Sequence, residues 1–369
     1  MLLQSVSLVS NMINLEDSIK SIINAGLLAP SFYNTQPWQF KVSNNKIELF
    51  LAESELSIYD WHKIQSLLSV GAVIENIVNE AKKWNLTCDY QVNDQFSITE
   101  PVVIIKFLEN LTEDSRLNIK LEAIKNRHAN YYMFENESLE QVQLSYFNKL
   151  NKPPGIQLKI ISDEQSKKII FNVASIIDQI RFMRKDLHFA FYNKLHFSEK
   201  KHRKIRTGFN LENLGICGFA SYFFRITKYW YVTKFLRNFG LAKKFGENAN
   251  LGFLNCSALG LISVENLDTL TLIRAGQFMQ QLWLETTILN YGLQPHTTLC
   301  VFDYLERLGN GSELSDSELK LINENINNYR ELFNLNSKNI GVFLFRLGKI
   351  TTPIISKTLR KELKQVILS

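Results

Sequence analysis

Apolar residues fall at Leu15, Ile19, Ile22, Ile23 and Leu27, a spacing that predicts a helix over 15–28. Asn14 is placed to cap it, and Glu16 and Asp17 sit where the helix dipole favours acids. Pro30 ends the pattern. Beyond it, Phe40 and Val42 alternate with polar neighbours, Asn44 and Asn45 supply a turn, and Ile47, Leu49 and Leu51 alternate again, which predicts a hairpin. Helical spacing returns from about 60 to 85 through LLSVGAVIENIVNEAKKW, with Gly71 in its middle. A mid-helix glycine costs about 1 kcal/mol against alanine, so its presence predicts the close approach of another backbone. TCDYQV and PVVIIKF then predict two strands.

The rest of the chain predicts helices over 114–127 and 138–150, a strand at IQLKIIS, and a long helix from Asp163 to about Asp186. A strand at GFLNCSALGLIS, a helix over 267–291, a polar helix over 315–332 and a last strand at IGVFLFRLG follow. GLQPHTTLCVF, between the last two helices, has no assigned pattern. Strands and helices lack the regular β-α-β cadence of a doubly wound sheet, so the expected fold class is α+β, with sheets packed on long central helices.

Composition narrows the function. At 369 residues and 45% hydrophobic, the chain can bury a large core, and its net charge of +6 is too diffuse for a nucleic-acid partner. An anionic small molecule fits that charge. The N-terminal stretch has no basic region ahead of its apolar residues and does not read as a signal peptide. Cys88, Cys217, Cys256 and Cys300 form no C-x-x-C pair, which argues against a zinc ribbon or a disulfide framework and for the reducing cytoplasm. Phosphate-loop, dinucleotide-fingerprint, zincin and serine-hydrolase motifs are absent from the sequence, and no metal ligand is expected. Chemistry in such a chain falls to a bound cofactor.

APSFYNTQPW, residues 29–38, is the most unusual stretch. Its two prolines remove backbone donors and fix φ, which holds the remaining amides toward a ligand. Pro30, Ser31, Asn34, Gln36, Pro37 and Trp38, between a helix and a hairpin, resemble the A-P-S-x-x-N-x-Q-P-W turn of the nitroreductase family of FMN-dependent oxidoreductases. Ser69 to Leu86 is similar to that family's first central helix and Ile273 to Pro295 to its second, while IKNRHANYYMF, residues 124–134, resembles its arginine motif.

The resemblance implies that residues 1–112 form one nitroreductase-like half, with the flavin-facing turn at 29–38. Residues 113–369 form the other, with a basic aromatic insertion at about 191–252. The first half has the turn without the arginine motif and the second the reverse, so the chain looks like a fused pseudo-dimer of the long, Acg-like branch. Implied ligands are FMN, with NADH or NADPH as donor, and a small nitro, quinone or enone-type acceptor. Pro30, Ser31, Asn34 and Gln36 would orient the ring, Arg127, Asn130 and Arg346 would face the phosphate, and backbone around Gln294 and Pro295 would border the flavin. No catalytic side chain is required. The family's other arginine-motif positions fall here on His128, Ala129 and Tyr131, so Arg346 is expected to compensate. The rival reading is a protein that sequesters FMN under a lid, for which 219–245 is the candidate. Because apolar residues lie all round that segment, a buried helix pair is the preferred reading, and docking on a membrane surface ranks last. A homodimer of the fused chain stays open.

Overall fold

Residues 16–27 form the first helix, α1, and its apolar face, Ile19, Ile22, Ile23 and Leu27, is buried as the spacing requires. The structure, a computed structural model, describes residues 16–43, 45–52, 60, 63–109, 113–135, 137, 139–308, 314–350 and 356–368; the expected cap Asn14 and the turn residue Asn44 lie outside them. A single 3-10 turn at Phe32–Asn34 leads into the hairpin β1 (Trp38–Ser43) and β2 (Lys46–Leu51), paired from Trp38 with Leu51 to Ser43 with Lys46. Helix α2 (Ile64–Lys83) and strands β3 (Leu86–Val92) and β4 (Val103–Glu109) complete an antiparallel sheet of order β1-β2-β4-β3.

Helices α3 (Leu117–Asn126) and α4 (Gln141–Lys149) lead to β5 (Ile156–Ile161) and the long α5 (Glu164–Met183). The helix expected to run to Asp186 breaks at Arg184, whose extended backbone starts α6 (Lys185–Asn193). Two-residue strands β6 (Leu195–His196) and β7 (Phe209–Asn210) flank α7 (Glu199–Ile205). The basic aromatic segment then forms three short helices, α8 (Gly218–Thr227), α9 (Trp230–Arg237) and α10 (Leu241–Asn250). This corrects the expectation of a buried pair, since Phe219, Tyr222, Tyr231, Phe235 and Phe239 are all exposed.

A second antiparallel sheet, order β5-β8-β10-β9, uses β8 (Ala258–Val264), β9 (Tyr291–Pro295) and β10 (Ile340–Lys349), with α11 (Thr269–Ile288) between β8 and β9. Helices α12 (Thr298–Arg307) and α13 (Asp316–Leu332) fill the link to β10. GLQPHTTLCVF ends a strand and begins a helix, and both pieces are too short for period alone to reveal. The two sheets share one plan: first-second-fourth-third strand order, all antiparallel, a 20-residue helix between the second and third strands.

Helices α2 and α11 cross at the centre. Gly71 faces the Ile273 carbonyl and Gly276 the Leu68 carbonyl, so the close approach predicted at Gly71 is present. Gln280 donates to Asn76 Oδ1 at 2.7 Å across the crossing, and Asn76 donates to the Ala25 carbonyl at 2.9 Å, tying α1 to the pair. Finally, residues 356–368 return along the first sheet: Phe40 N–H donates to the Val366 carbonyl and Leu368 N–H to the Phe40 carbonyl, each at 2.8 Å. Among the described residues, no helix is long and apolar enough to cross a membrane.

Candidate functional site

The turn at 29–38 holds Tyr33, Asn34 and Gln36 at φ of 51°, 51° and 52°. Three L residues in the left-handed region within four positions are strained and persist only where surroundings over-determine them. Here hydrogen bonds do so. Gln36 N–H donates to Ser31 Oγ at 2.9 Å, Asn34 Nδ2 donates to the carbonyls of Gly208 and Leu359, and Gln36 Nε2 donates to the Arg206 carbonyl at 2.8 Å. Lys361 N–H closes the set by donating to Gln36 Oε1 at 2.7 Å.

This bonding assigns the two amides a different task from the one the resemblance implied. Gln36 is fully buried, and both ends of its side chain are used on the 206 and 361 backbones. Asn34 is likewise saturated, because its Oδ1 accepts from Arg360 at 2.9 Å. They shape the turn and dock the C-terminal segment against it.

Beside the turn lies a cavity of about 240 Å³. Its walls include Pro30, Ser31, Tyr33, Asn34, Arg127, Tyr131, Arg181, Gln294, Pro295, His296 and Arg360. Thus Pro30, Ser31, Asn34, Arg127, Gln294 and Pro295 share the walls of one cavity. Three expected site residues, Gln36, Asn130 and Arg346, do not line it. Asn130 is buried away from the cavity, its Oδ1 accepting from Tyr132 N–H at 3.0 Å and its own N–H donating to the Leu293 carbonyl, so it fastens the 127–131 segment to β9. Gln36 stands behind the turn. His128, the position of a second motif arginine, points into a separate pocket with Tyr291 and Gly292, and burial holds its ring below the ordinary histidine pKa.

Cations dominate the cavity. Asp178 is the sole carboxylate among the described lining residues, and it pairs with Arg181, which also donates to Tyr33 Oη at 2.6 Å. Arg127 is buried, donates one nitrogen to the Leu28 carbonyl and lies 4.7 Å from the Trp283 ring centre; its Nε has no partner. Arg360 also has a buried Nε without a partner. Burial pushes the Arg127 pKa well down, and the nearby Arg360 charge pushes it further; burial brings Arg360 to about 10. Two desolvated like charges with no counter-charge of their own among the described lining residues are costly, and an anion between them relieves that cost.

Arg346 is placed differently from its expected compensating role. It is buried, donates to Gln294 Oε1 at 2.5 Å and the Tyr132 carbonyl at 2.8 Å, and stacks 4.3 Å from the Phe134 ring centre. Gly252 leaves room for it, since a Cβ there would fall 2.7 Å from the guanidinium. Arg346 lines a second chamber of about 660 Å³, walled by α5, α6, α8 and α10 through Phe182, Phe191, Phe223, Phe224 and Phe245. Tyr131, Asp178, Arg181, Phe191, Leu214 and Gln294 border both spaces, so the two are adjacent. His296 stacks 4.2 Å from Phe253 with its Nε2 unpartnered, and burial, followed by the Arg346 and Arg181 charges, brings its pKa down to about 3. Sequence reasoning missed Arg360 and His296, which carry no motif of their own.

Residues 3–68 match a family model described as putative TM nitroreductase, a span that includes the strained turn, the hairpin and the start of α2. No curated protein sequence matches the chain. Among solved structures, similarity extends to an iodotyrosine deiodinase bound to FMN and 3-iodo-L-tyrosine, at 14% identity and TM-score 0.37, covering 66% of this chain and 95% of that one. An FMN-bound nitroreductase from Bacteroides fragilis is 12% identical with TM-score 0.35, covering 65% of this chain and 94% of its own. An FMN-dependent nitroreductase from Mycobacterium smegmatis in complex with NADPH is 10% identical with TM-score 0.39, covering 67% and 96%.

Proposed function

We propose that the cavity beside the 29–38 turn holds FMN and that the protein is an oxidoreductase of nitroreductase type, taking reducing equivalents from NADH or NADPH to a small nitro, quinone or enone-type acceptor. The carrying observation is the pair Arg127, buried, and Arg360, half-buried, which both line the cavity with buried, unpartnered Nε atoms and, among its described lining residues, have no counter-charge of their own. A phosphate meets that need, and guanidinium is suited to it. The donor set therefore fits FMN, and the family match over the turn supports the same cofactor.

Bound FMN would supply the two-electron chemistry. The chain's own part is positional. Arg127 and Arg360 neutralise the phosphate, the rigid Pro30–Ser31 backbone and the Gln294 to Thr298 segment bound the ring, and His296, neutral at physiological pH, offers its free Nε2 on the same wall. The adjacent aromatic chamber would take the acceptor. The shared plan of the two sheets supports a fused pair of nitroreductase-like halves, 1–112 and 113–369, with one flavin site between them.

Purified protein loaded with FMN and gel-filtered is expected to retain about one flavin per chain, and NADH or NADPH to bleach it under anaerobic conditions. A colourless protein would refute the cofactor assignment. Retention without bleaching by either donor would support sequestration instead, a reading favoured by the way α8 and α10 wall the second chamber.

A further inference from the structure

The outer surface of α8 and α9 exposes large apolar side chains. Phe219, Tyr222 and Ile226 on α8 are 86%, 66% and 54% exposed; Tyr231, Phe235 and Phe239 on and after α9 are 70%, 61% and 66% exposed. Their spacing, three and four residues along α8 and four along α9, puts them in stripes, and Phe235 and Phe239 pack together at 5.1 Å between ring centres. A soluble surface seldom exposes so many large rings together. The same segment carries Arg225, Lys228, Lys234, Lys243 and Lys244, all exposed, and the half-buried Arg237, and between Glu212 and Glu247 there is no acidic residue.

We propose that the α8–α10 face is a docking surface for an anionic lipid bilayer. Aromatic and aliphatic side chains flanked by lysine and arginine are the composition that seats a helix in the headgroup region, rings inward and cations toward lipid phosphates. Charge selects this occupant over a second copy of the chain, because a two-fold interface through this face would set six cations against six. Helical stripes of Phe, Tyr and Ile favour it over a single-stranded nucleic acid, whose platforms need a groove tracking the phosphate backbone. Phe219, Ala220, Lys244 and Asn248 also line the second chamber, so the docked face includes part of an aromatic cavity wall. The argument is independent of what the first cavity holds. It also reverses the ranking drawn from sequence, in which the rings were placed inside.

Co-sedimentation of the full chain with vesicles of phosphatidylcholine, alone or mixed with phosphatidylglycerol, tests it. Binding is expected on the mixed vesicles and not on the neutral ones, and it should weaken with salt. Each of Lys228→Ser, Lys234→Ser and Lys243→Ser should lower the partition roughly fivefold. Phe235→Ser combined with Phe239→Ser should lower it at least about tenfold. All five side chains are exposed, so an unchanged thermal midpoint verifies the fold of each variant. Absent binding to mixed vesicles, equal binding to neutral ones, undiminished binding of the double phenylalanine variant, or retention on single-stranded RNA alone would each overturn the proposal.

Discussion

A Cβ built on Gly71 falls 2.8 Å from the Cα of Gly276, so α2 and α11 cross backbone against backbone. The contact is reciprocal: Gly71 faces the carbonyl three residues before Gly276, and Gly276 faces the carbonyl three residues before Gly71. Such self-complementarity belongs to two-fold interfaces. Either glycine changed to alanine forces the helices apart. Gly276→Ala is expected to cost about 3 kcal/mol, read as a drop in the urea midpoint at constant slope. An unchanged midpoint would mean that the crossing is not tightly packed.

Arg127 and Arg360 make opposite demands on the empty and the filled protein. Arg127→Met should weaken FMN binding roughly 10- to 100-fold, as the loss of one charge-assisted bond to phosphate. The same change removes one of two mutually repelling charges, so thermal unfolding without FMN should show no loss of stability. Equal loss of binding and of apo stability would make Arg127 structural only.

Acid acts through His296. Its pKa is about 3 in the folded chain against an ordinary 6.5, so between those values the unfolded chain takes up a proton that the folded chain refuses. Stability is then complete above 6.5 and falls as pH drops toward 3, by at most about 1.4 kcal/mol per pH unit. His296→Gln should flatten that slope in urea titrations across the window. An unchanged slope would assign acid sensitivity to other groups, such as Asp114, whose carboxyl is held at about 2 mainly by its hydrogen bond from Lys120.

Thiol chemistry should report burial. Cys300 and Cys88 are pushed up to about 12 and Cys256 to about 11 by burial, while Cys217 is exposed. An aromatic disulfide reagent is expected to label Cys217 rapidly and the other three only on unfolding. Fast labelling of a second cysteine would reveal local opening at its site.

The α+β class, the hairpin after Trp38, the two central helices and the close contact at Gly71 were all legible in the sequence, because each rests on local period or on a residue with a strong local preference. The turn at 29–38 was legible as special from its prolines and amides. What its amides do was not, since Asn34 and Gln36 bond to backbone at 206–208 and 359–361, far away in sequence. Only the tertiary structure delivered Arg360 to the cavity that the one remaining arginine of the motif also lines, and turned the rings of α8 and α9 outward. Sequence determines which faces a helix has; which face meets the core depends on neighbours brought together by long-range sheet pairing and helix crossing, and no local pattern records those contacts.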